Sequence, residues 1–373
     1  MQQPHNKRIK VIISGGGTGG HIFPAIAIAD ALRASVADLD VLFVGALGKL
    51  EMQKVPAAGY PIEGLWISGF QRSLSARNLL FPLKLIHSLW KSRKIIRQFK
   101  PDAVVGVGGY ASGPLLEMAT RMGVPSLIQE QNSFAGMTNR LLGGKVQHIC
   151  VAFEGMEQFF PKEKLLLTGN PVRKDLQQES EALRAEAIQY FGLEAGKPVI
   201  LLFGGSLGAR TLNRAMEAAT ALLESRPEVQ VIWQTGSLYA EGAASSATAA
   251  LPGVKAMKFI DRMDLAYAAA DLVLCRAGAL TIAEISMLGK PAILVPSPNV
   301  TADHQTKNAM ALVERGAARL VSDAAAVEHL MPEALALLDD AEARGALKTA
   351  IKQFARPDAA KHIAEAIVEM IEK

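Results

Sequence analysis

The chain has 373 residues, half of them hydrophobic and a fifth charged, with 32 glycines and a formal net charge of +4. That length and composition suit an α/β protein of two domains and exclude a disordered, collagen-like or disulfide-built chain. The modest charge gives no reason to expect a nucleic-acid partner, and Cys150 and Cys275 both lie in apolar strand-like runs ("HICVAF", "LVLCRA"), which points to buried, reduced thiols and not to a metal site.

In chain order, the polar amino terminus (Gln2, Gln3, His5, Lys7) lacks a signal-peptide core. No uninterrupted apolar run reaches the roughly 18 residues needed to span a bilayer. An intracellular protein is therefore expected, one still able to touch a membrane. The first element is a buried strand at 11–14, followed by five glycines among residues 15–20 and an apolar helical pattern over 23–32. Glycines let the backbone approach a ligand, and the first N–H groups of the following helix face outward, so this turn is an anion site. Gly15, Gly17 and Gly20 satisfy the dinucleotide spacing G-x-G-x-x-G. That reading also requires a carboxylate at the tip of the second strand, and the strand at 41–44 runs into Gly45-Ala46-Leu47 with none. A Walker loop fails as well, because no Gly-Lys-Ser/Thr closes the glycines. His21, behind the turn, is either a local capping group or a functional one. The only D-x-D, Asp38-Leu39-Asp40, precedes the second strand and so reads as a surface turn, with no metal implied.

Residues 71–100 carry eight Lys or Arg and no Asp or Glu, interleaved with Leu79, Leu80, Phe81, Leu83, Leu85, Ile86, Leu89 and Trp90. Two readings are open: a core-facing helix with a solvated basic face, or an interfacial element resting on anionic lipid. Strands follow at 103–106, 126–129 and 148–152, alternating with helices as in a doubly wound parallel sheet. The rhythm breaks at Gly169-Asn170-Pro171-Val172, where a domain boundary is expected. A second set of strands then runs at 199–203, 229–233, 256–260, 272–275 and 292–295, and its first strand also leads into a glycine turn, "GGSLGAR". The expected organisation is a first domain over 1–172, a second over 173–355 and a terminal helix within 356–373 packing back on the first.

The segment "CRAGALTIAE", beginning at Cys275, reads as strand, tight turn and helix, with Ala279, Leu280 and Thr281 at the helix start and Glu284 one turn in. The helix start suits a diphosphate, and Glu284 is placed to accept hydrogen bonds from ribose hydroxyls; a water-exposed helix-dipole carboxylate is the alternative. In "PSPNVTADHQTKNA", Asn299, Gln305 and Asn308 suit sugar hydroxyls, although amides also cap and turn.

Together "GGGTGGHIFP", "GVGGYASGP", "EQNSFAGMTNR", "GNPVR", "FGGSLGAR", "CRAGALTIAE" and "HQTKNA" resemble, in order from about residue 8 to 320, the MurG family of peptidoglycan N-acetylglucosaminyltransferases. The resemblance implies a GT-B architecture: two Rossmann-like, doubly wound parallel-sheet domains facing a cleft. It also implies transfer of N-acetylglucosamine from UDP-N-acetylglucosamine to undecaprenyl-diphospho-N-acetylmuramoyl-pentapeptide, lipid I becoming lipid II. By the same resemblance Ile260 reads uracil through its backbone, and Ser206 and Arg173 contact the nucleotide. Glu284 holds the ribose, and Ala279, Leu280, Thr281, Ile282 and Ala283 flank the diphosphate. Gln305, with His304 beside it, holds the donor sugar, which Asn132 approaches from the other domain, while Thr18, Gly19 and Gly20 complete the site. His21 is the candidate base, with Tyr110 nearby. The resemblance further implies no cofactor, a peripheral position on the cytoplasmic face of the plasma membrane, and cell-wall synthesis and division proteins as partners.

An inverting transfer is one in-line displacement, needing a base for the acceptor hydroxyl and positive potential for the departing diphosphate. His21, with an ordinary pKa of about 6.5, suits the first, and helix termini with Arg173 suit the second. Rival readings are a nicotinamide oxidoreductase, a UDP-sugar epimerase or another glycosyltransferase of the same fold, and a non-catalytic nucleotide-sugar binding protein.

Overall fold

The computed structural model of the chain describes residues 8–69, 80–172, 176 and 180–373; Arg173 and residues 71–79 of the basic stretch lie outside these. The chain forms two compact units, Met1–Arg173 with Arg356–Lys373, and Lys174–Ala355.

The first unit holds a seven-stranded sheet made of β1 (Ile9–Gly15), β2 (Leu39–Ala46), β3 (Ile62–Leu65), β4 (Ala103–Gly108), β5 (Ser126–Glu130), β6 (His148–Val151) and β7 (Leu165–Leu167), in the spatial order β3-β2-β1-β4-β5-β6-β7. Every pairing is parallel. A parallel sheet is covered by helices on both faces, which is why its inner strands are continuous apolar runs: Val11, Ile12 and Ile13 of β1 are all fully buried. On one face, the helix Gly19–Ser35 packs Ile22, Ala25, Ala29 and Leu32 into the same cluster as Ile363, Ala364, Ile367 and Met370 of the helix Ala359–Glu372.

The second unit repeats the plan with six strands: β8 (Val199–Phe203), β9 (Gln230–Gln234), β10 (Val254–Met257), β11 (Leu272–Cys275), β12 (Ala292–Leu294) and β13 (Arg319–Leu320), in the order β10-β9-β8-β11-β12-β13. These pairings are parallel too. The strand expected at 256–260 stops at Met257, so Ile260 stands in the loop beyond it. The strands β3, β7 and β13 escape a reading by apolar runs because they are short, of four, three and two residues, and partly exposed: Glu63 is exposed and Leu167 is 42% exposed.

Strand order decides where ligands bind. In both sheets the order reverses direction beside the first strand, between β1 and β4 and between β8 and β11. Open α/β sheets bind ligands at the carboxyl ends of such strands. Those four ends carry "GGGTGGH", "GGYASG", "GGSLGAR" and "RAGAL".

Candidate functional site

In the first unit, the turns after β1 and β4 lie against each other. Gly16 donates to the Gly108 carbonyl at 3.3 Å, and a Cβ on Gly109 would strike the Gly16 backbone. The His21 ring packs on Gly108, where a Cβ would meet its Cδ2 at 2.7 Å and its Nε2 at 2.9 Å. His21 Nδ1 lies 3.1 Å from the Gly16 carbonyl oxygen and 3.3 Å from Thr18 Oγ1. A carbonyl can only accept, so Nδ1 carries the hydrogen, and in the neutral ring the lone pair belongs to Nε2. The geometry thus prepares the imidazole as a proton acceptor at one nitrogen. Thr18 and Gly20 are exposed and Gly19 half-buried at the start of the helix Gly19–Ser35. Tyr110, half exposed, follows the β4 glycines and lies over Gly69.

Asn132 belongs to a loop organised by a buried carboxylate. Glu130, 2% exposed, accepts from Asn132 N at 3.1 Å, Asn132 Nδ2 at 3.3 Å, Gly136 N at 2.9 Å and Asn139 Nδ2 at 2.8 Å. Beneath it, Gln129 Nε2 donates to Asn170 Oδ1, Asn170 Nδ2 to the Gln131 carbonyl, and Gln131 Nε2 to the Val107 carbonyl. This buried amide chain ties "EQN" to "GNP" across the ends of β4 to β6. Buried networks of this kind fix loop geometry, here with Asn139 Oδ1 left without a partner among the described residues.

The second unit gathers its own set. The helix Ala279–Leu288 begins after Gly278, which brings no side chain over the helix start. Ala279, Leu280 and Thr281 are half-buried there, while Ile282 is 3% exposed with its side chain in the core, and Ala283 is half-buried. Glu284 is not the water-exposed helix-dipole carboxylate of the alternative reading: it is 8% exposed and accepts from Tyr267 Oη at 2.8 Å. A buried phenol holding a carboxylate fixes its orientation. Ser206 is exposed on the turn after β8, and its carbonyl accepts from Ser237 N. Ile260, 3% exposed, donates its N–H to Gln234 Oε1 at 2.9 Å, and Gln234 Nε2 donates to the Gly205 carbonyl at 3.1 Å. Gln234 therefore ties the Ile260 loop to the glycine turn. Gln305, half-buried near the start of the helix His304–Val313, accepts from Ser297 N at 2.8 Å. Asn308 is fully buried and donates to the Ala277 carbonyl, whereas Asn299 is exposed. Arg276 donates to the Val295 and Pro296 carbonyls and pairs with Asp323, which also accepts from Thr211, so the β11 and β12 ends are pinned together.

Within each unit the singled-out residues among those described lie in loops and helix starts at the carboxyl ends of the strands, some beside the switch point and others, such as Asn132 after β5 and Ile260 after β10, farther along the sheet. Those that sequence reasoning missed (Glu51, Gln129, Glu130, Asn170, Gln234, Tyr267 and Arg276) act on other protein groups, and spacing carries no signal for that. One expectation is corrected. No carboxylate follows β2 directly, yet Glu51, on the helix Glu51–Ala57, folds back so that its carboxylate meets the Ala46 amide at the tip of β2.

Residues 11–151 match the glycosyltransferase family 28 N-terminal domain and residues 199–363 the glycosyltransferase family 28 C-terminal domain. A protein of Cytophaga hutchinsonii named UDP-N-acetylglucosamine N-acetylmuramyl-(pentapeptide) pyrophosphoryl-undecaprenol N-acetylglucosamine transferase is 53% identical over 368 residues, 99% of this chain and 98% of that one. The Bacteroides fragilis protein of the same name is 51% identical over 380 residues, covering 100% of both chains. The crystal structure of Acinetobacter baumannii MurG matches with a TM-score of 0.77 at 30% identity, over 97% of this chain and 99% of that one. Two doubly wound parallel sheets, both family 28 halves in order and relatives matching end to end lead to one conclusion: the chain belongs to the MurG family of GT-B glycosyltransferases.

Proposed function

We propose that the chain transfers N-acetylglucosamine from UDP-N-acetylglucosamine to the 4-hydroxyl of the muramoyl sugar of undecaprenyl-diphospho-N-acetylmuramoyl-pentapeptide, with inversion at the anomeric carbon. The observation that carries this is end-to-end identity of 53% to a relative named for that transfer. The site geometry supports it. The second unit takes the donor: Glu284, oriented by Tyr267, accepts from the ribose hydroxyls, and the start of the helix Ala279–Leu288 faces the diphosphate. The Ile260 loop takes the uracil, its N–H exchanging Gln234 for the base. Ser206 and Arg173 complete the nucleotide contacts, and Gln305 holds the sugar.

The first unit takes the acceptor. As its 4-hydroxyl oxygen bonds to the anomeric carbon, the proton passes to His21 Nε2 and the bond to the UDP oxygen breaks. The charge arriving on UDP is met by N–H groups and Arg173. Nδ1, held by the Gly16 carbonyl, keeps the ring in the tautomer this step requires. Tyr110 stands near the base, and Asn132 contacts the donor sugar.

The helix Phe81–Phe99 supports a membrane-facing role for this unit. Its buried face is made of Ser88, Ser92, Ile95 and Ile96, while Leu83, Ile86 and Trp90 are 58%, 65% and 61% exposed. Trp66, 43% exposed, stands beside it with His87 at its edge, and Lys84 and Lys94 lie over the Trp66 and Trp90 rings. Large apolar groups turned outward among cations suit an anionic bilayer surface, each cation contributing about 1 kcal/mol. Among the described residues no helix is long and apolar enough to cross a membrane. The location that fits the transfer reaction and this helix is a peripheral one at the cytoplasmic face of the plasma membrane. Cell-wall synthesis and division proteins are the partners this location implies.

The test is release of UDP from UDP-N-acetylglucosamine with and without a detergent-solubilised lipid I analogue. Acceptor-dependent release with disaccharide formation is expected. Tight nucleotide-sugar binding without release would overturn the transfer.

A further inference from the structure

The first glycine turn holds a buried carboxyl group of its own. Glu51 is fully buried, and its carboxylate accepts from Gly17 N at 2.9 Å through Oε2 and from Ala46 N at 3.0 Å through Oε1. Two glycines make room for it: a Cβ on Gly16 would run into the carboxyl group, and one on Gly45 would meet Cγ at 2.5 Å. The carboxylate is thus threaded between β2 and the turn that follows β1. In dinucleotide folds an acidic side chain at this strand tip faces the ligand ribose, and the turn amides face its phosphates. Here the acid faces the turn instead.

We propose that Glu51 is a built-in anion of the glycine turn and a positioning residue for His21. By holding Gly17 from below, it sets the path of Gly15–Thr18, and hence the Gly16 carbonyl that fixes His21 Nδ1. A negative charge on outward amides is the interaction such turns make with phosphate, satisfied from inside the protein. The chain of contacts is short: carboxylate to Gly17 amide, Gly16 carbonyl to imidazole. This inference rests on the transferase reading for its kinetic consequence and on the turn alone for its structural one.

Both are tested with full-length Glu51→Ala and Glu51→Gln, comparing the transfer reaction and amide hydrogen exchange of the peptide spanning 14–20 with wild type. Glu51→Ala is expected to lower kcat by about ten- to a hundredfold, the upper figure being the scale of loss when a catalytic group is misplaced by an ångström. KM for UDP-N-acetylglucosamine should change less than kcat, because the uracil, ribose and diphosphate contacts lie on the other unit and only Thr18, Gly19 and Gly20 of this turn complete the donor site. Exchange of the turn should quicken, and added sodium formate, entering the vacated space, should restore both kcat and protection. Glu51→Gln, of the same shape, should lose kcat without formate rescue, because its amide group fills the space and faces an amide. Wild-type kcat in both variants overturns the proposal, as does quickened exchange with kcat unchanged, or a loss that formate leaves untouched in folded Glu51→Ala. If Glu51→Ala does not fold, a Glu51→Gln variant with native exchange and kcat overturns it. If wild type shows no acceptor-dependent transfer, the reaction reading has failed, and the exchange measurement still decides whether the carboxylate holds the turn.

Discussion

Replacing Tyr267 by Phe removes one oxygen and leaves the buried ring in place. That oxygen donates to Glu284 at 2.8 Å, and both groups are buried, at 0% and 8% exposure. A hydrogen bond to a charged group contributes about 1.5–3 kcal/mol net, because its loss leaves part of a carboxylate unsolvated. In a unit of this size each kcal/mol corresponds to roughly 2–4 °C of Tm. Thermal unfolding of Tyr267→Phe should therefore fall by several degrees. The larger interest is binding. If Glu284 holds the ribose hydroxyls, its carboxylate must be aimed before the ligand arrives, and losing the phenol leaves it to be ordered on binding. A weakening of UDP affinity by about 5–10-fold, near 1–1.4 kcal/mol, is expected by titration calorimetry. In a Glu284→Gln background the same change should weaken UDP far less, since the two residues act as one unit. A lowered Tm with unchanged UDP affinity would refute the reasoning: the phenol–carboxylate pair would then be structural, and the ribose would be held elsewhere.

His21→Ala should lower kcat while leaving UDP-N-acetylglucosamine affinity nearly intact, measured by steady-state kinetics and calorimetry; a wild-type kcat would remove His21 as the base. Ile86→Glu with Trp90→Glu should release the protein from vesicles rich in anionic lipid, and co-sedimentation insensitive both to these changes and to lipid charge would refute the membrane-facing role. Gly16→Ala places a methyl in the Glu51 carboxyl group, so a loss of about 1–3 kcal/mol in unfolding free energy is expected, from overpacking that pushes the buried carboxyl group off the Gly17 and Ala46 amides. Native stability in that variant would show that the carboxylate moves easily. Burial pushes the Cys150 thiol up to about 12 and raises Cys275 further, the latter also against the Glu284 charge. A raised thiol pKa means almost no thiolate at pH 8, so a disulfide reagent should label neither cysteine until the protein is unfolded. Fast labelling of the native protein would contradict their burial.

Much of this architecture was legible in the residue order alone. Central parallel strands must be apolar on both faces, so runs such as "VILLF" and "LVLC" announce themselves, and a glycine turn before a helix identifies the ligand end of the sheet. Motifs in fixed order identified the family for the same reason: groups that touch a ligand are constrained in type and spacing. Tertiary structure decided what spacing does not encode. The edge strands β3, β7 and β13 form because a neighbouring strand offers its hydrogen bonds, whatever their own polarity. The helix Phe81–Phe99 turns its large apolar groups outward because small Ser88 and Ser92 let it lie close against the unit, a choice its amphipathic sequence left open. Glu51, Gln234 and Tyr267 stand far along the chain from the groups they bond, 34, 26 and 17 residues away. Each was ordinary as a residue type in its place. Only folding, which brings distant strand ends to one edge of a sheet, makes a buried carboxylate the partner of a glycine turn and a buried phenol the partner of a carboxylate.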